Sequence, residues 1–459
     1  MRFINLSSAR PGASLAMAAA LLCGTALGAV ALEAPAAAQK EEKQAKPKFS
    51  KNFEKAYAPV VPLINAPTPD EAAIRAALPA MLAAASTEDD KNTAGNILLN
   101  AGGKFDDYAM QIQGLEMMIA SGKNNDRLGQ LRYAGFQVYS NAGDMAKARE
   151  WLIQASDLGY SFEGKLTDGT SKTVTAGDLR VMAAETYFDD DQYEAGLADL
   201  LGWLRARDAA GQPIEESWVR KGFATAFNNQ MGPQAADFGA LFLKYYPSAN
   251  VWADAITVQN GFFNYDAQET LDLMRLARRA GVLNPTRIDA MQTDEDRKQA
   301  IRASLERMYL DYAEAADFRR LPGEVKAVLD EGIATGVLQA NDVTVADWLG
   351  GANGRISQDK ADLPALERDA RSGSTLSTVL AAGDAFLSYG DAAKAEEFYT
   401  KALTLPGADA ARIQTRLGIA QVDQGKYDAA VATFAKVEGN RKPIANLWST
   451  FAAQKAAGK

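Results

Sequence analysis

Residues 376–437 read LSTVLAAGDAFLSYGDAAKAEEFYTKALTLPGADAARIQTRLGIAQVDQGKYDAAVATFAKV, and one pattern passes through them twice. Gly383, Gly390, Ala395, Tyr399 and Ala402 recur 35 residues later as Gly418, Gly425, Ala430, Phe434 and Val437. Steps of three and four between Gly383 and Phe386, and between Ala395, Tyr399 and Ala402, set these side chains on single faces of two consecutive helices. Small residues let the helix backbones approach, and the aromatic fills the space beside them. Gly390 and Gly425 can take a left-handed turn conformation at no steric cost. A helix pair of this size cannot bury its apolar face alone, so it predicts a stack.

The period and the placing of small and aromatic residues resemble the tetratricopeptide repeat. That resemblance implies an all-α, right-handed solenoid of antiparallel helix pairs acting as an interaction scaffold. With Gly390 and Gly425 as a ruler, six further registers emerge upstream. Gly143 is followed by Ala148, Leu152 and Ala155; Asp191 by Gly196, Leu200 and Trp203; Met231 by Ala236, Ala240 and Leu243. Weaker ones begin at Gly103, Tyr265 and Arg320. Sixteen residues into five of the eight units stand Gly159, Pro247, Gly281, Gly336 and Pro406, all residues that end helices.

The rest of the chain is organised around this array. Residues 1–38 carry Arg2 and Arg10, an apolar run from Leu15 to Ala31 and a small-residue end, the layout of a signal peptide, with cleavage expected after Ala38. An acylated Cys23 is disfavoured by the bulky Leu22 before it. Residues 39–67, with Pro47, Pro59, Pro62 and Pro67, read as a flexible tether. A helix is expected from Thr68, which can cap it, to about Ala85. Irregular repeats are expected over 68–340, a degenerate helical linker over 341–372, two clear units over 373–440 and a capping helix over 441–459. Within the array, residues 162–176 alternate and turn at Asp168-Gly169, which predicts a small β-hairpin, and Thr175 with Asp178 forms a capping box for the next helix. A longer helix is expected from about Asp294 to Ala315, and a degenerate helical pair where Gly350, Gly351 and Pro364 interrupt the pattern.

Composition excludes several chemistries. The 459 residues include no histidine and a single cysteine, Cys23, within the expected signal segment. A chain cut after Ala38 could therefore host no Ser-His-Asp or Cys-His nucleophile, no zinc site of the usual ligands and no disulfide. The net charge of −9 argues against nucleic acid as the main partner. Asp189-Asp190-Asp191 lacks the alternating ligands of a calcium loop and reads as a solvated turn. No phosphate loop or dinucleotide fingerprint occurs, and no cofactor is expected.

The resemblance also implies that first helices of successive units line a concave groove for peptides. Carried over unit by unit, it places Tyr133, Gln137 and Asn141, then Glu185, Phe188 and Asp189, then Lys221, Asn228 and Asn229 on that face. The amides of Asn228 and Asn229 suit main-chain recognition. The expectation is a non-enzymatic exported scaffold, periplasmic or associated with the outer membrane, that binds protein or peptide partners and keeps no transmembrane span after cleavage. Two other readings stay open from sequence: a carboxylate-dependent envelope glycan hydrolase, and a constitutive subunit of an envelope complex.

Overall fold

Helix pairs whose apolar faces must be shared dictate the architecture. The structure, a computed structural model, describes residues 47–165, 171–373 and 375–458; residues 1–38, expected as a signal peptide, lie outside them. The described chain is an all-α helical repeat fold with one two-stranded antiparallel sheet. It divides into two compact units, one ending at Leu200 and the other beginning at Leu201.

Six inter-helix turns are built alike. Gly143, Gly390 and Gly425 take φ of +80°, +83° and +72°. The next N–H in each reaches back five residues, from Asp144 to Tyr139 O, Asp391 to Phe386 O and Lys426 to Gln421 O, at 2.8–3.0 Å. This closure satisfies carbonyls that the ending helix leaves orphaned. The same bond runs from Asp107 to Gly102 O, Gln192 to Tyr187 O and Met231 to Ala226 O, across Asp106, Asp191 and Gln230 at φ of 53°, 57° and 61°. The registers expected at Gly103 and Met231 therefore belong at Asp106 and Gln230. Asp191 stands where its register was expected, whereas at the other two turns a ruler made of glycines misses a left-handed residue that has a side chain, by three residues and by one.

Four pairs share one packing device. A Cβ on Gly135, Gly222, Gly383 or Gly418 would lie 1.8, 2.1, 2.7 or 2.4 Å from the ring of Trp151, Phe238, Tyr399 or Phe434. Each aromatic stands 16 residues after its glycine, and its ring lies against the bared backbone of the first helix. Only glycine permits that approach.

Elsewhere the structure corrects the sequence reading. The tether does not reach residue 67, because Lys51–Tyr57 and Val60–Ile64 are helices whose Phe53 and Val60 are fully buried against Ile74, Leu78 and Leu98. The prolines there stand at helix starts and bends, where they cost little. Helix Glu71–Ala84 is capped by Asp70, which accepts from Ala73 N, and not by Thr68. Residues 343–372 form one helix of 30 residues rather than a pair. Gly351 is no breaker there: the Phe318 ring lies 2.6 Å from where its Cβ would be, so it admits a neighbour. The expected long helix spans Glu295–Ala316, and the hairpin pairs Phe162–Lys165 with Ser171–Val174. Its turn at Asp168-Gly169 lies outside the described residues. Thr175 and Asp178 form the expected capping box.

Candidate interaction faces

In the unit ending at Leu200, helix Leu128–Asn141 carries Tyr133, Gln137 and Asn141. Tyr133 does not face an open groove. It is 7% exposed, its ring centroid 4.8 Å from that of Phe162 and 5.7 Å from that of Tyr160, and burial pushes its hydroxyl up to about 12. The hairpin supplies the covering ring, so Tyr133 is part of the core. Gln137 is half-buried and Asn141 exposed at the helix end. On helix Ala176–Asp189, Glu185 and Phe188 are half-buried and Asp189 is exposed. Phe188 stacks on Tyr193 at 6.0 Å and packs on Gly196 of the following helix. Asp190 pairs with Arg149 at 3.5 Å, and Asp191 accepts from the Tyr193 hydroxyl, so two members of the acidic triplet serve the turn.

In the unit beginning at Leu201, helix Glu216–Asn228 carries Lys221, half-buried, and Asn228, exposed at its last position. The Asn229 side-chain amide donates to Thr225 O at 2.8 Å and so caps its own helix. The Asn228–Asn229 amide pair is thereby divided, with one amide serving the fold and the other facing solvent.

The most elaborate side-chain constellation is one that the sequence reading missed. Helix Ala267–Arg279 is held by the C-terminal repeats along one polar face. Fully buried Asp272 accepts from Arg275 at 3.3 Å, from Arg416 at 3.1 Å and from Arg441, and its carbonyl accepts from Trp448 Nε1 at 2.9 Å. Arg275 in turn clamps Glu324 through two bonds of 2.8 and 2.6 Å, and the Tyr312 hydroxyl donates to the same carboxylate at 2.9 Å. Arg416 continues to Asp384, which also accepts from Tyr399 at 2.8 Å and from Arg412 at 2.9 Å. Arg279 closes the far end on Asp423 at 2.6 Å.

Burial alone would raise the Asp384 carboxyl, but Arg416, Arg412 and the Tyr399 hydroxyl outweigh it and hold it at about 2. Glu324 is likewise lowered: Arg275 and Tyr312 overcome its burial. Buried charges of this kind persist only when every partner is present. The array is therefore a lock between helices more than 100 residues apart, and each of its carboxylates is already paired. In sequence, Asp272 and Arg275 look like the solvated face of an amphipathic helix; only the spacing Glu269, Asp272, Arg275, Arg279 on one face hinted at a polar partner.

The helix Lys442–Ala456 likewise does more than cover the final pair. Trp448 and Phe451 pack inward, Phe451 edge-on to Trp252 at 5.8 Å, and Gln454 donates to Leu243 O at 2.9 Å. Among the described residues, no three His, Cys, Asp or Glu side chains converge as a metal site, and no helix is long and apolar enough to cross a membrane.

No protein-family model matches the chain, and no curated protein matches it. Among solved structures it is similar to Naa15/Naa10 bound to HypK-THB, at 14% identity and a TM-score of 0.26, over 84% of this chain and 60% of that one. It is similar to the APC/C hetero-tetramer Cut9-Hcn1 at 15% identity and a TM-score of 0.20, over 83% and 74% of the two chains. A circular tandem repeat protein with novel repeat topology aligns at 12% identity and a TM-score of 0.14, over 88% and 95%. The chain thus spans about three fifths of the Naa15/Naa10 chain it matches. With likenesses this slight, the fold assignment rests on the helix pairs themselves.

Proposed function

We propose that the protein is an exported, non-enzymatic scaffold of tetratricopeptide-like repeats that binds protein or peptide partners in the bacterial cell envelope. The observation that carries this reading is the glycine-on-aromatic helix pair, repeated at Gly135, Gly222, Gly383 and Gly418. Repeats of this kind leave the outer positions of each helix free to vary while the stack stays fixed. Export is supported by the layout of residues 1–38, and the scaffold role by the lack of histidine throughout and of cysteine after residue 23. Gln137, Asn141, Glu185, Phe188, Asp189, Lys221 and Asn228 are the residues proposed to meet the partner; Tyr133 supports them from the core and Asn229 by capping its helix.

Two measurements test this. Fractionation of cells producing the full chain, with mass determination of the product, is expected to find it in the envelope fraction beginning at Gln39; a cytoplasmic product with residues 1–38 intact would overturn the export reading. Immobilised chain is expected to retain a defined partner from envelope extracts, and the Lys221→Ala, Asn228→Ala double variant to lose it. Retention of no partner would overturn the scaffold reading.

A further inference from the structure

In the unit ending at Leu200, an open cleft of about 330 Å³ runs between helices Glu71–Ala84 and Tyr108–Ala120. Its size lies in the lower part of the ~300–1,000 Å³ that ligand sites span. The floor is apolar: Leu78, Leu98 and Met110 are buried beneath it, and Leu82 is half-buried beside it. One wall is the stripe Arg75, Leu78, Pro79 and Leu82, which covers two helical turns and is about 10 Å long at 1.5 Å per residue. That is room for about three residues of extended chain at ~3.3 Å each.

The walls carry polar groups that the fold does not use. Pro79 stands inside its helix and is itself exposed. It has no N–H to give to the carbonyl of Arg75 one turn earlier, so that acceptor loses its helical partner. Both residues line the cleft, which puts the freed carbonyl on the same wall. On the opposite wall the exposed Gln113 amide makes no hydrogen bond among the described residues. One end of the cleft is acidic. Arg75 reaches Glu71 and Asp107, each at 2.8 Å, so two carboxylates share one guanidinium and one negative charge among the three is unmatched.

We infer that this cleft receives an extended polypeptide segment with two aliphatic side chains in alternation and a Lys or Arg beside them. Alternation turns both aliphatic side chains onto the apolar floor, where they displace water from Leu78, Leu82, Leu98 and Met110. A main-chain N–H of the segment donates to the Arg75 carbonyl, and a main-chain carbonyl accepts from the Gln113 amide. The basic side chain meets the surplus charge of Glu71 and Asp107. A free acyl chain would use the floor alone and leave the carbonyl and the amide unpaired. This inference rests on the scaffold reading and adds to it a second binding place with a stated partner chemistry.

The test uses the purified full chain and labelled, end-capped pentapeptides: Lys-Leu-Ser-Leu-Lys, its alanine counterpart Lys-Ala-Ser-Ala-Lys, its acidic counterpart Glu-Leu-Ser-Leu-Glu, and a copy of the first with N-methylated inner amides. Fluorescence anisotropy at low salt is expected to show the first peptide binding at least tenfold tighter than the alanine peptide and at least threefold tighter than the acidic one. Ala109→Trp, at an exposed lining position, fills the cleft and is expected to weaken the first peptide tenfold or more, with an unchanged melting temperature confirming folding. Pro79→Ala restores the helical N–H to the Arg75 carbonyl. It is expected to raise the melting temperature and yet weaken the first peptide at least fivefold, while the N-methylated copy binds both proteins alike. A purely structural role for Pro79 would not set stability against binding in this way. Equal binding of the leucine and alanine peptides, equal binding of the first peptide and its N-methylated copy, an unchanged affinity in Ala109→Trp or in Pro79→Ala, or displacement by decanoate at the peptide's own affinity would each overturn the inference. If the leucine peptide does not bind while a defined partner is retained from envelope extracts, this inference falls and the scaffold reading stands; if no partner is retained at all, it is the scaffold reading that falls.

Discussion

The pair of helices around Gly135 and the pair around Gly418 are packed by the same glycine-on-aromatic device, but what lies beyond each pair differs. In the unit ending at Leu200, helices from Tyr108 onward meet their neighbours along the chain. Helix Leu128–Asn141 packs on Met145–Asp157, and the hairpin closes over Tyr133. In the unit beginning at Leu201, helix Ala410–Asp423 also grips helix Ala267–Arg279, through Arg416 on an aspartate 144 residues away in sequence. Identical repeat packing therefore supports two regimes. One unit is a sum of neighbour contacts, and the other is locked by a charge array that no single repeat contains.

The largest expected effect comes from breaking the lock. Asp272→Ala removes the carboxylate shared by Arg275, Arg416 and Arg441, all of them buried. Leaving buried cations without their partner costs about 3–5 kcal/mol. Hydrogen exchange should show protection falling together in residues 267–279, 376–423 and 442–456, while residues 51–200 keep theirs. Loss confined to the helix that carries Asp272 would refute the lock.

A second comparison sets the packing device in the two regimes. Gly135→Ala and Gly418→Ala each push a methyl group into a ring, where the nearest atoms would be 1.8 and 2.4 Å away. Overpacking of this kind costs about 1–3 kcal/mol, more at Gly135 because the approach is closer. Denaturant melts of the two variants give the sizes. Exchange maps should confine the Gly135→Ala effect to the adjoining helices and spread the Gly418→Ala effect to residues 267–279.

Both units also hold one aspartate at about 2, for different reasons. Burial would raise Asp90, but the N–H groups of Thr87, Ser50 and Ser86 outweigh it; at Asp384 arginines outweigh burial. In each case the folded pKa lies below the unfolded value of about 3.9. The stabilisation is therefore fully present above about pH 4 and is lost as pH falls through 2. Each group contributes about 2 kcal/mol at neutral pH. Acid titration of stability should flatten between pH 4 and 2 in Asp90→Asn for the first unit and in Asp384→Asn for the second. An unchanged slope in either variant would remove that aspartate from the account.

How far the sequence revealed this follows from where the information lies. Gly383, Tyr399, Gly418 and Phe434 are legible because packing within a helix pair is local, and the spacing that encodes it is short. The turns at Asp106 and Gln230 escaped because their left-handed geometry is set by the back-bond across the turn and not by the residue type. The early helices 51–64 were hidden by prolines, whose cost depends on position in the helix rather than on presence. Asp272, Arg416 and Arg441 could not be matched at all, since nothing in a single sequence says which polar face meets which. The groove positions fared in the same way. Tyr133 sits where the repeat pattern puts it, but the hairpin, an insertion outside the pattern, covers it.

The smallest effect probes the turns themselves, one in each unit. Asp191 and Gln230 hold φ of 57° and 61°, where glycine carries no penalty and other residues are strained by roughly 1 kcal/mol. Aspartate tolerates this region better than glutamine because its short side chain bonds locally, and Asp191 accepts from the Tyr193 hydroxyl at 3.1 Å. Glycine also loses more conformational freedom on folding, which offsets part of any gain. Gln230→Gly should therefore stabilise its unit by about 0.5 kcal/mol, and Asp191→Gly should leave its own unit unchanged within about the same amount. Thermal melts followed separately by exchange in residues 176–200 and 216–245 can resolve the pair. Equal gains at both turns would mean that strain alone sets these positions, whereas a loss at Gln230 would mean that its side chain holds the turn in a way the backbone geometry does not express.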